Sequence, residues 1–103
     1  MLSLSNERRT GLLFTQREKR LLGDGYFTII RNEEDFIEIR SNNTKHLWIV
    51  RKHLAGPDTY IMLYHKHSEK DSYYHKHRKI CTVAKAIENI KSHDTYVIQK
   101  GNI

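Results

Sequence analysis

The tetrapeptide Tyr64-His65-Lys66-His67 returns as Tyr74-His75-Lys76-His77, with only the polar stretch Ser68 to Tyr73 between the copies. Two matching strand-like runs around so short a connection constrain this part of the chain to a hairpin, since parallel neighbours need a much longer crossover. Strand alternation places His65 and His67 on one side of their arm, and His75 and His77 on one side of theirs. Pairing register then decides whether the imidazoles meet. If paired residue numbers sum to 142, His67 faces His75 and His65 faces His77; if they sum to 140, His65 faces His75 and His67 faces Tyr73. Either even register gathers all four imidazoles on one face, and an odd sum splits them.

The rest of the chain reads as an α+β domain. Thr15-Gln16-Arg17-Glu18 has the spacing of a capping box, which predicts a short helix carrying Leu21 and Leu22 inward and ending at Gly23-Asp24-Gly25. β-branched and aromatic residues then dominate Tyr26 to Arg31, Phe36 to Ser41 and Lys45 to Lys52, giving three strands joined by short polar turns. The acidic triplet Glu33-Glu34-Asp35 falls in the first of these turns, and Trp48 sits mid-strand as a core residue. Gly56-Pro57-Asp58 marks a further turn, followed by strands over Thr59 to His65 and Tyr73 to Arg78.

Thr82 caps a helix in which Val83, Ala86, Ile87 and Ile90 recur at helical spacing. His93-Asp94 is expected to end it before a last strand over Thr95 to Gln99. The sum is an antiparallel sheet of five to six strands, with a short N-terminal helix and one amphipathic C-terminal helix on one face. Residues 1–14 are expected to form a flexible basic segment, and 15–103 a single domain, in keeping with a chain of 103 residues. At least one of Tyr64 and Tyr74 is expected in the core beneath the C-terminal helix.

Composition narrows the function classes. Eighteen basic against twelve acidic side chains leave a net charge of +6, which favours an anionic partner. The surplus lies in residues 1–23 (five basic, two acidic) and 60–103 (eight basic, four acidic), whereas 24–59 hold five basic and six acidic residues. Cys81 has no partner for a disulfide, and this fits a reducing, cytoplasmic compartment. Its position before a helix does not make it a nucleophile. No apolar run is long enough to span a bilayer, and the N-terminus lacks the apolar core of a secretory signal. Phosphate-binding glycine loops, nucleophile elbows and zinc-knuckle spacings are absent.

Three functional readings follow. The leading one is a non-enzymatic module that contacts nucleic acid or a nucleoprotein through Arg8, Arg9, Arg17, Lys19, Arg20, Lys66, Lys76, Arg78 and Lys79, with Tyr64, Tyr73 and Tyr74 available to stack on bases. The second is a protein-interaction or inhibitor module that offers the same basic surface to an acidic protein, as an accessory protein of a phage or mobile element would. The third is a metal-binding protein or hydrolase built on His65, His67, His75 and His77, with zinc as the ion. The six basic residues Lys66, Lys70, Lys76, Arg78, Lys79 and Lys85 weigh against a cation there, so no cofactor is expected.

Overall fold

The structure, a computed structural model, describes residues 14–101. Among the described residues, two helices and five strands follow in the order α1 (Gln16–Leu22), β1 (Phe27–Asn32), β2 (Phe36–Ser41), β3 (Leu47–Ala55), β4 (Asp58–Lys66), β5 (His75–Ile80) and α2 (Val83–Gly101). The strands form one antiparallel meander in chain order, so among the described residues β1 and β5 are its free edges. This is the expected α+β arrangement. Of the N-terminal segment 1–14 only Phe14 is described, and it is 6% exposed within the core.

The capping box of α1 is present in both directions: the Glu18 amide donates to the Thr15 hydroxyl at 3.1 Å, and the Thr15 amide to the Glu18 carboxylate at 2.8 Å. Lys52 on β3, itself buried, reaches the same carboxylate at 2.8 Å and lies over the Phe14 ring, tying the helix to the sheet. At the other end Thr82 caps α2, its hydroxyl accepting from the Lys85 amide at 3.2 Å.

Register builds the core. Ile37 pairs with Val50 and Val50 with Leu63, while Ile39 pairs with Trp48 and Trp48 with His65. These two rows share the helix-covered face, where they meet Leu22 of α1 and Val83, Ala86, Ile87 and Ile90 of α2. Among the described residues no helix is long and apolar enough to cross a membrane.

Two expectations need correction here. Helix α2 does not end at His93-Asp94, and no strand forms over Thr95 to Gln99; the helix continues to Gly101. Asp94 follows Ile90 by four residues and so extends the buried stripe of the helix instead of closing it. It is 1% exposed. Its carboxylate accepts hydrogen bonds from the hydroxyls of Tyr26 (2.6 Å), Thr44 (2.9 Å) and Ser41, so tertiary contacts override the strand propensity of the residues beyond it.

The second correction concerns the tyrosines. Tyr64 pairs with Ile49 and Lys76 on the face away from the helices, and both Tyr64 and Tyr74 are only half-buried. On that face the Tyr74 hydroxyl donates to Glu38 of β2 at 2.7 Å, and Glu69 pairs with Arg40 of β2 at 3.7 Å. The β4–β5 loop therefore reaches back across the open face of the sheet.

Candidate functional site

The doubled motif does form the β4–β5 hairpin. Tyr64 pairs with Lys76 and His65 with His75, which is the register summing to 140. One step further on, Leu63 pairs with Arg78, leaving His77 as the extra residue of a bulge. A bulge turns side chains out of simple alternation. The even register alone would put all four imidazoles together; in the folded chain His67 and His77 each meet His65, and His75 has no ring contact among the described residues.

Two further histidines complete the group. The turn at Gly56-Pro57 closes β3 on β4 with Ala55 opposite Asp58, and the same ladder runs through Trp48 opposite His65 to Leu47 opposite Lys66. His46 and His67 occupy the positions just beyond its last rung, on the Trp48 side of the sheet. The second addition, His93, comes down from α2 one turn after Ile90 and reaches within 4.5 Å of His65, centroid to centroid. Five imidazoles thus form one cluster, and three of them contact the indole of Trp48. His65 stacks on it at 4.1 Å, while His77 and His93 meet it edge-on at 5.0 and 5.1 Å.

Within the group His46 Nδ1 and His65 Nε2 lie 2.9 Å apart, so one ring donates and the other accepts. The ligand nitrogens of His46, His65 and His67 all fall within 4.8 Å of one another. Backbone and side-chain contacts hold them in place. The His46 amide donates to the Thr44 hydroxyl at 3.2 Å, and that hydroxyl donates in turn to buried Asp94. The His67 amide donates to Asp71 Oδ2 at 2.9 Å. His93 Nδ1 is buried without a hydrogen-bond partner.

Burial sets the charge state. It pushes the His65 imidazole down to about 3, with the neighbouring rings of His93, His46, His67 and His77 acting in the same direction. His46 is lowered first by burial and then by His67, against the opposing pull of Asp94 and Asp71. His93 is lowered in the same way, by burial and then by His46 and His77. His46, His65 and His93 are therefore neutral near pH 7, the form in which imidazole accepts hydrogen bonds and binds metals.

The basic residues separate from this cluster. Lys76, Arg78 and Lys79 are exposed along the free edge β5, and among the described residues none of them has a carboxylate within ion-pair distance. Arg78 and Lys79 also line a cleft of about 380 Å³ between β5 and α2, across from Lys85, Glu88 and Asn89. Tyr73, just before the strand, is 77% exposed. Lys66 is engaged elsewhere, its ammonium over the Tyr74 ring at 4.8 Å. Arg17, Lys19 and Arg20 are exposed on α1, away from the lining of that cleft, and Arg8 and Arg9 lie outside the described residues. Sequence reasoning passed over Lys85 as a contact residue, and His46 and His93 as members of the cluster.

No protein-family model, curated protein or solved structure matches the chain.

Proposed function

We propose that the protein is a non-enzymatic binding module for a polyanion, with nucleic acid as the partner class that fits its surface. The observation that carries this reading is the run of exposed cations on β5, Lys76, Arg78 and Lys79, which have no carboxylate within ion-pair distance among the described residues, although Lys79 also lies over the Tyr60 ring; Lys85 continues the run across the adjoining cleft. Cations that no carboxylate neutralises are free to displace the counterions of a phosphate backbone, which is the main source of affinity in such complexes. Tyr73 adds an exposed ring beside the strand, and base stacking on such a ring contributes about 1–3 kcal/mol.

Fluorescence anisotropy with single-stranded DNA and RNA oligonucleotides at two salt concentrations tests the reading. The K76A/R78A/K79A variant is expected to bind more weakly and to lower the salt slope by about 2, since each lost single-strand phosphate contact removes roughly 0.7. Salt-independent binding, or equal affinity in the triple variant, would remove this assignment. Capture of an acidic protein that survives nuclease treatment would replace nucleic acid by a protein partner on the same edge.

A further inference from the structure

We propose that His46, His65 and His67 form a binding site for one zinc ion, held by three imidazole nitrogens at the open end of the β3–β4 ladder. The proposal is independent of the polyanion reading, which uses other residues on β5.

The geometry is close to what the ion demands. Zinc–nitrogen bonds of about 2.0–2.1 Å in a tetrahedral site separate the ligand atoms by about 3.3–3.4 Å. His46 Nδ1 and His65 Nε2 already lie 2.9 Å apart, and all three ligand nitrogens lie within 4.8 Å of one another. Closing the set requires His67 to move toward the other two rings and the His46–His65 pair to open by about 0.4–0.5 Å. The His67 ring is exposed, so it has room to move and opens a path for the ion, whereas His65 is fixed against Trp48. Binding replaces the His46–His65 hydrogen bond with two coordinate bonds. The ring that donated must release the proton from its ligating nitrogen and take one up on its other nitrogen, so each ligand stays a neutral imidazole.

The surroundings suit a cation better than the sequence alone indicates. Asp71, one of the loop carboxylates, anchors the His67 backbone, and Asp94 holds Thr44 beneath His46. Three of the lysines that weigh against a cation in the linear sequence are directed elsewhere: Lys66 lies over Tyr74, Lys79 over Tyr60, and Lys85 lines the β5–α2 cleft, while Lys70 shares a surface pocket with Lys45, Glu69 and His67. Three protein ligands leave a fourth position for water or an exogenous donor.

Titration of tag-free, chelator-treated protein with zinc(II), followed by calorimetry, tests the site. Saturable binding of one ion per chain is expected. H67A and H46A should weaken it by more than the roughly 10- to 100-fold typical of losing an outer-shell partner, while H75A and H53A should leave it unchanged. Imidazole resonances of the unmutated protein provide a readout that does not depend on a variant folding, and zinc should perturb His46, His65 and His67 but not His75 or His53. Absence of saturable binding, unchanged affinity in H67A, or perturbation centred on His75 would overturn the assignment.

Discussion

The imidazole of His65 lies against the indole of Trp48 with ring centroids 4.1 Å apart and planes inclined by 28°. The two residues are paired across β3 and β4, in the row that runs through Ile29 and Ile39. A titratable ring therefore stands where the apolar row would otherwise continue, and it is 8% exposed. Its Nε2 edge is met by His46, so the cluster belongs to the core as much as to the surface. The same placement predicts a sensitivity to acid.

Acid should destabilise the metal-free protein well before its carboxylates are protonated. In the unfolded chain His65 takes up a proton near its ordinary value of 6.5, and in the folded chain only near about 3. Between those values the unfolded state binds more protons, so stability is full above pH 6.5 and falls as the pH drops toward 3. His46 and His93, also lowered by burial, act in the same sense. Urea midpoints measured in chelator should correspond to a loss of about 1–2 kcal/mol between about pH 7.5 and about pH 5. Equal midpoints would mean that the imidazoles charge freely within the folded state.

Asp94 should prove one of the costliest positions in the chain to truncate. It accepts from three hydroxyls, those of Tyr26, Ser41 and Thr44, which come from β2 and from the turns before β1 and after β2. Asp94→Ala leaves three donors without their acceptor, two of them on half-buried residues, and should cost about 2–4 kcal/mol in denaturant unfolding. Asp94→Asn keeps the shape and one acceptor oxygen and should lose less. A loss below about 0.5 kcal/mol for the alanine variant, the range of ordinary surface substitutions, would rule out this network as a structural hub.

What the sequence revealed and what it hid divide along the range of the interactions. The capping box at Thr15, the cap at Thr82 and the strand Phe36–Ser41 depend on neighbours a few residues apart, and each formed where the local pattern put it. The extension of α2 depends on Asp94 meeting hydroxyls about fifty or more residues away, a match no local window contains. The histidine cluster falls between these cases. The tight turn at Gly56-Pro57 places Ala55 opposite Asp58, and counting outward from it brings Trp48 to His65 and His46 to the level of His67. That signal lay in the turn, outside the repeated tetrapeptide itself. His93 had no such signal, because its approach depends on how α2 crosses the sheet.

The loop that carries His67 should respond to a single oxygen atom. Tyr74 donates its hydroxyl to Glu38 at 2.7 Å, Lys66 covers the Tyr74 ring, and Glu69 pairs with Arg40, so three contacts tie the 67–74 loop to the open face through Glu69 and Tyr74. The Arg40–Glu69 pair is exposed at Glu69 and contributes little by itself. The Tyr74–Glu38 bond is half-buried and has a charged acceptor, and Tyr74→Phe should cost about 1–2 kcal/mol. Because the loss is local, amide exchange should accelerate across residues 67–74 while β2, β3 and the α2 core keep their protection. Glu38→Gln combined with Tyr74→Phe should cost clearly less than the sum of the single changes, as expected for partners in direct contact. Strict additivity, with unchanged exchange in the loop, would show that the hydroxyl does not hold it. If the loop does loosen, zinc affinity should fall with it through His67 while the β5 cations stay where they are, so this one substitution separates the two proposed sites.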